Sequence, residues 1–315
     1  MLGAMQICSF LPSATETLFA LGAGDSVAGV TFECDFPPEA REKRVVVRTR
    51  LNPSLNAAEI DRQVNESVAR GESLYEVDLE ALEDIQPDLI ITQDLCHVCA
   101  ATPGDLGFVL GALRRKPEVL SLSPQSLADV WTDIRTIGAA TDRGSQAGEL
   151  VALLKDRLAA VAEMVARSSA RPRVACLEWL DPPFFAGHWV PEMVACAGGV
   201  DVLGASAKPG IRTTWEDVLK ARPEVILIMP CGYDLRDAVE EFSRMALPDG
   251  WEMLPAVRDG RVFAVDASGY FARPGPRLAG GVEILASVLH PEYAAVAPPP
   301  ASVEKITRGS RPPAN

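Results

Sequence analysis

Short apolar runs alternate with longer amphipathic stretches along almost the whole chain. The runs are "QICSF" (6–10), "SVAGV" (26–30), "RVVV" (44–47), "DLIIT" (88–92) and "PEVLSL" (117–122) in the first half, then "RVACLEW" (173–179), "EVILIM" (224–229) and "RVFAV" (261–265) in the second. Strand-like runs that alternate with helical stretches predict an α/β fold with mainly parallel sheets. Between the halves, residues 142–169 carry leucine, valine and methionine at helical spacing, without proline, from a start at Asp142 to "SSARP". At 1.5 Å per residue that is on the order of 40 Å of helix. The pattern therefore predicts an N-terminal lobe over 1–141, a connecting helix over 142–169 and a C-terminal lobe over 170–290. The last 25 residues, 291–315, hold six prolines and few large apolar groups, and are expected to be a disordered tail.

One internal echo supports two similarly built lobes. "LEALEDIQPDLII" (79–91) and "WEDVLKARPEVIL" (215–227) share a frame in which Glu80 and Glu216 each stand seven residues before a proline, Pro87 or Pro223. An acid, Asp88 or Glu224, follows, and then an apolar strand. A helix, a proline-marked stop and a parallel strand thus recur once per half. The same frame also arises in unrelated α/β chains.

The length of 315 residues suits two domains that each bury a core. Composition narrows the partners. Hydrophobic residues make up 48% and charged residues 23%, the balance of a globular chain. The net charge of -13 removes the electrostatic footprint of a nucleic-acid binder. No run approaches the roughly 18 apolar residues of a membrane span. The first apolar segment begins at Met5, leaving no room for a leader with an apolar stretch of about 7–15 residues. The expectation is a cytoplasmic monomer, or a periplasmic or extracellular one if a leader has been removed. The seven cysteines are odd in number and scattered except for Cys96 and Cys99, which is no disulfide framework.

In an open parallel sheet, ligands bind at the carboxyl ends of the strands. The loops there contain Glu33, Cys34 and Asp35; Cys96, His97 and Cys99; Phe184, Phe185, His188 and Trp189; and Tyr270, Phe271 and Arg273. Apolar rings suit the face of a macrocycle, while thiols and imidazoles suit zinc, iron or a metal complex. The stretch "TQDLCHVCAATPG" (92–104) leaves three readings open. Cys96, His97 and Cys99 could ligate a metal, although no second ligand pair with its own short spacing exists. The two cysteines could be small buried wall residues. A strand, C-x-x-C and a helix from Pro103 also resemble the thioredoxin layout. Arg48, Arg50, Arg62 and Arg70 either meet an anionic ligand or form a solvated face. Glu80 and Glu216, in first helical turns, complement the helix dipole on the plainest reading.

Five blocks then carry a family resemblance, in order: "FLPSATETLFALGAGDSVAGVTFECDFPPEA", "DLEALEDIQPDLIIT", "DPPFFAGHWVPEMVACAGGVDVL", "TTWEDVLKARPEVILI" and "SGYFARPGPRLAGGVEIL". Over about residues 5–290 the chain resembles the class III, helical-backbone substrate-binding proteins of ABC uptake systems, the group that binds vitamin B12 and iron complexes. The resemblance implies two α/β lobes joined by one long helix, with a corrinoid such as cobalamin, a haem or another metal chelate held between them. It also implies that Glu80 and Glu216 dock on an ABC permease. Three features depart from the family: the missing export signal, an insertion-like segment at 48–77, and Gly269 where the B12 binder has an acid. The competing class is an intracellular metal handler or a thiol- or metal-dependent enzyme on the same fold, using Cys96, His97 and Cys99 with Glu33 or Asp35 as acid-base group. No nucleophile elbow, P-loop or dinucleotide fingerprint occurs, so ligand binding without catalysis is the expectation.

Overall fold

The computed structural model describes residues 5–52, 55–94, 103–292 and 298–307. Its described residues divide into two compact units. One takes the chain up to Leu55, Glu59–Pro124 and Ala128–Ala152; the other takes Asn56–Ala58, Gln125–Leu127 and the chain from Leu153 on.

The first unit is a six-stranded sheet of β1 (Ile7–Ser9), β2 (Val27–Thr31), β3 (Arg44–Thr49), β4 (Tyr75–Val77), β5 (Leu89–Gln93) and β6 (Glu118–Leu122), in the order β4-β3-β2-β1-β5-β6. Every pairing is parallel except β3 with β4. All five residues of β5 are buried, as a strand covered on both faces by helices must be. Cys8, Phe10, Val46, Val47, Leu82 and Ile90 form its core.

The second unit contains β7 (Arg173–Leu180), β8 (Pro183–Phe185), β9 (Val200–Asp201), β10 (Ile211–Arg212), β11 (Val225–Ile228), β12 (Val262–Val265) and β13 (Val303–Lys305). The order is β10-β8-β7-β11-β12-β13, with β9 also paired to β7. The β7-β11-β12 centre is parallel, while β8, β10 and β13 add antiparallel edges. Leu177, Ile226, Ile228, Ala264, Phe242 and Trp251 fill this core.

All eight apolar runs became strands. The helix expected over 142–169 is Gly144–Val165, 22 residues or about 33 Å. It starts later than Asp142 because Asp142 takes a left-handed φ of 54°, which ends the preceding helix Leu127–Ala140. Residues 144–152 of it are counted with the first unit and the rest with the second.

The expectation of a disordered tail is corrected in part. Residues 303–305 pair antiparallel with β12, and Ile306 is 1% exposed. The prolines stand outside the paired residues, so composition averaged over the tail concealed a strand.

The internal echo is a structural repeat. Helix Leu79–Ile85 is capped by the side chain of Asp78, which accepts from Ala81 N at 2.8 Å, and ends at left-handed Gln86. Helix Trp215–Ala221 is capped by Thr214, which accepts from Asp217 N at 3.2 Å, and ends at left-handed Arg222. A proline and a central parallel strand, β5 or β11, follow in each case.

Candidate functional site

In the first unit the loop after β2 stands at the carboxyl edge of the sheet. Cys34 there is buried, and its Sγ lies 3.1 Å from Thr15 Oγ1 and 3.4 Å from Thr31 Oγ1. Thr15 in turn donates to Ser9 Oγ at 2.9 Å. This network ties Cys34, a ligand-binding candidate in the sequence, into the packing of β1, β2 and helix Pro12–Ala20, where it is a buried structural residue. Glu33 and Asp35 are half-buried, and the Asp35 carbonyl accepts from Arg41 Nε. The loop's exposed apolar rings are Phe32 and Phe36, at 38% and 43%. Sequence reasoning passed over both, although they flank the residues it chose.

The arginines of the 48–77 segment separate into two kinds. Arg62 pairs with Glu66 at 2.7 Å and Arg70 with Glu72 at 2.9 Å, both on the surface. Arg48 and Arg50, on and just after β3, are exposed and make no ion pair among the described residues.

Cys96, His97 and Cys99 lie outside the described residues. Among the described residues, no group of three or more His, Cys, Asp or Glu is placed to hold a metal ion. Burial raises the Cys8 thiol to about 12 and the Cys176 thiol well above its ordinary value. Neither is a reactive thiolate.

In the second unit, β7 and β8 form a hairpin in which Phe184 pairs with Trp179 and Phe185 with Leu177. Because side chains alternate along a strand, only one of the two rings is accessible. Phe184 is half-buried, with the Arg212 guanidinium 5.3 Å from its ring centre. Phe185 is 9% exposed, Trp189 4% and Phe271 1%. These three are corrected from ligand-facing rings to core residues. Trp189 nevertheless links two loops, since its Nε1–H donates to Phe271 O at 2.7 Å.

His188 stands between those loops in a left-handed conformation, φ 51°. Its ring stacks on Trp189, and its Nδ1 lies 3.1 Å from Gln125 Oε1. Burial lowers its pKa, so the imidazole is neutral at pH 7. With Nδ1–H donating to the amide oxygen, Nε2 keeps a lone pair for a ligand. The close approach behind it requires glycine: a Cβ on Gly187 would lie 2.3 Å from Lys208 O and 2.5 Å from Gly210 N.

The third loop follows β12. Asp266 accepts from Gly269 N at 2.8 Å, and burial raises its pKa. Tyr270 and Arg273 are half-buried. The Arg277 guanidinium lies 5.7 Å from the Tyr270 ring centre, and Arg157 holds Glu283 through bonds of 2.8 and 2.7 Å nearby. A Cβ at Gly269 would come 2.2 Å from Asp266 Oδ2. A side chain at Gly269 would therefore have to displace the carboxylate of Asp266.

An aromatic pair that sequence reasoning missed stands at the ends of β7 and β11. Trp179 and Tyr233 meet edge to face, centroids 5.6 Å apart. Trp179 Nε1–H donates to Ala57 O at 3.2 Å. The available signal was "LEW" closing one strand and "CGYD" opening the loop after another. Glu80 and Glu216 are both exposed; Glu216 meets Lys220 at 2.9 Å on its own helix.

Two mainly parallel α/β units with one continuous helix running from the first into the second, and candidate residues gathered at the carboxyl ends of their strands, define the class of ligand-binding solute receptors. The chain belongs to the periplasmic binding protein family, whose model matches residues 7–268. It is 26% identical over 302 residues to the uncharacterized ABC transporter substrate-binding lipoprotein YvrC of Bacillus subtilis, covering 91% of this chain and 80% of the relative. It is 24% identical over 296 residues to the vitamin B12-binding protein of Vibrio cholerae, covering 91% and 89%. A solved periplasmic heme-binding protein from Pseudomonas aeruginosa superposes with a TM-score of 0.72 at 18% identity, covering 97% of this chain and 99% of that one, which establishes the shared fold. The Bacillus relative is named a substrate-binding lipoprotein and the Pseudomonas protein periplasmic, so the cytoplasmic expectation has no support. Among the described residues, no helix is long and apolar enough to cross a membrane.

Proposed function

We propose that this chain is the extracytoplasmic receptor of an ABC importer, binding a corrinoid, a haem or another metal chelate without chemical change. The observation that carries the reading is the repeated joint of the two halves, each presenting one exposed glutamate, Glu80 or Glu216, at the same helical position. Two such acids supply a pair of matched contacts for a basic permease surface. The names of the B12- and heme-binding relatives support the cargo class. On this reading Phe32, Phe36, Arg48 and Arg50 of the first unit, and Phe184, His188, Tyr270 and Arg273 of the second, contact the ligand. Trp179 and Tyr233 join them.

The test is a titration with cyanocobalamin and with haemin, followed by the Soret or corrin bands and by tryptophan fluorescence. Saturable one-to-one binding of either is expected. Absence of both, with stoichiometric zinc or iron in the purified protein, would return the chain to the metal-handling reading. A Cys96→Ser, Cys99→Ser variant separates ligation from packing in the same assay. Probe affinity within about threefold of the parent identifies wall residues, because serine keeps the volume and removes the soft donor. Loss of bound metal would identify ligands.

A further inference from the structure

The segment at residues 298–307 lies beyond the family match, which ends at residue 268. It sits on the free edge of β12, register Phe263 with Lys305, Ala264 with Glu304 and Val265 with Val303. The ladder runs past the strand at both ends: Ile306 N donates to Val262 O, and Asp266 N donates to Ser302 O, each at 2.9 Å. Asp266 is where the strand stops and the loop carrying Tyr270 and Arg273 starts. Its N–H is held by the edge segment, its carboxylate by Gly269 N at 2.8 Å, and its carbonyl by Tyr270 N at 3.1 Å.

Ser302, 0% exposed, is itself held in a turn. Its Oγ donates to Pro299 O at 2.6 Å and its N–H to the same oxygen at 3.2 Å. Ile306 belongs to the core of the second unit, which anchors the other end of the segment. A short edge strand that served only to blunt a sheet edge would need neither a buried serine turn nor a core anchor.

We infer that residues 298–307 form a strap that positions the 266–273 loop for its ligand, with Ser302 as the positioning residue. The inference rests on the proposed role of Tyr270 and Arg273. The strap fixes one side of Asp266, so the cap on Gly269 and the Tyr270 turn form in one place. Without it, Asp266 would keep its cap on a strand end free to move, and the loop would sample several positions at a cost in affinity.

Full-length Glu304→Pro tests it, because proline removes the ladder N–H opposite Ala264 and leaves the buried Ile306 and Ser302 in the sequence. Val239→Ala, a wholly buried position on helix Leu235–Arg244, weakens the same core with the strap intact. Hydrogen exchange at Asp266, Gly269 and Tyr270 is measured alongside cyanocobalamin and haemin affinity. Glu304→Pro is expected to speed exchange at the three amides about tenfold or more and to weaken probe binding about tenfold, while Val239→Ala changes neither by more than about twofold. A synthetic peptide of residues 298–307 should restore both in the proline variant. Equal weakening in the two variants, or unchanged exchange at Asp266 in Glu304→Pro, would overturn the strap. If the parent binds neither probe, the ligand reading fails by itself, and the three amides still decide whether the segment orders the loop.

Discussion

Asp88 and Glu224 do the same work 136 residues apart: each carboxylate accepts an N–H at the start of a neighbouring central strand. Asp88 Oδ2 takes Gln6 N and Glu224 Oε2 takes Arg173 N, both at 2.8 Å. Their own N–H groups return bonds to Gln6 O and Arg173 O, again at 2.8 Å. The repeat thus extends from the helix cap through the proline to the edge of the next strand, and it aligns β5 with β1 and β11 with β7. Asp88→Ala should cost about 1–2 kcal/mol, since its side chain is mostly shielded and leaves a donor unpaired. Glu224→Ala should cost about 0.5–1 kcal/mol, because water replaces an exposed carboxylate more readily. Chemical denaturation followed by circular dichroism measures both; equal and negligible costs would show that the joint is not held by these carboxylates.

The exposed acids of the same repeat should behave differently. Neither Glu80 nor Glu216 is buried, and the bond from Glu216 to Lys220 is an i,i+4 surface pair, a kind that contributes about 0.3–0.5 kcal/mol. Charge reversal at both, Glu80→Lys with Glu216→Lys, should therefore leave melting temperature and probe affinity nearly unchanged. Stimulation of a reconstituted cognate permease should be lost. A variant that stimulates as well as the parent would remove these residues from the docking surface.

Asp133 on helix Leu127–Ala140 has one oxygen, Oδ2, sealed from solvent and without a hydrogen-bond partner among the described residues. Burial, reinforced by Asp129, raises its pKa from the ordinary 3.8 to about 7. Because the folded state holds the proton more tightly, the stabilising contribution is complete below pH 4 and is lost as pH rises through 7. Asp133→Asn should leave stability at pH 4 unchanged and add about 1–2 kcal/mol at pH 8, a figure reduced for the solvent contact the side chain retains. Parallel stability curves for the two proteins between pH 4 and 8 would contradict this.

The strands β1, β2, β3, β5, β6, β7, β11 and β12 were legible because each carries a short apolar run, and β1, β2, β5, β11 and β12 are buried along nearly their whole length. The edge strands were not: β10 has two residues, β8 hides in "DPPFFA", and β13 follows a proline run. Side-chain direction was less legible still. Phe184 and Phe185 are chemically equal in the sequence, yet strand alternation turns one toward solvent contact and the other into the core. Cys34 read as a candidate donor because nothing local shows that Thr15, nineteen residues earlier, stands against its sulfur. Trp179 and Tyr233 meet only after β7 and β11 pair, so a chain scanned segment by segment separates them. The loops after β2 and β12 do stand at the carboxyl ends of those strands, since that follows from the direction of a parallel sheet.

Gly269 offers the sharpest comparison with the B12-binding resemblance. If cargo recognition needed an acid at this position, Gly269→Asp should strengthen cyanocobalamin binding. The local geometry predicts otherwise. The new Cβ would lie 2.2 Å from Asp266 Oδ2 and 3.0 Å from Arg277 Nη1. Asp266 would have to swing away, releasing Gly269 N, and loss of such a cap typically costs about 1 kcal/mol. A second carboxylate would also stand beside one whose pKa burial already raises, so the pair would share its negative charge unfavourably. The new side chain would also crowd Arg277, which lies over the face of Tyr270. Gly269→Asp is therefore expected to lower stability by about 1–2 kcal/mol at pH 8, less as pH falls and protonation relieves the repulsion between the two carboxyls, and to weaken probe binding through Tyr270. Tighter cyanocobalamin binding by this variant, at unchanged stability, would show that a side chain at Gly269 need not displace Asp266.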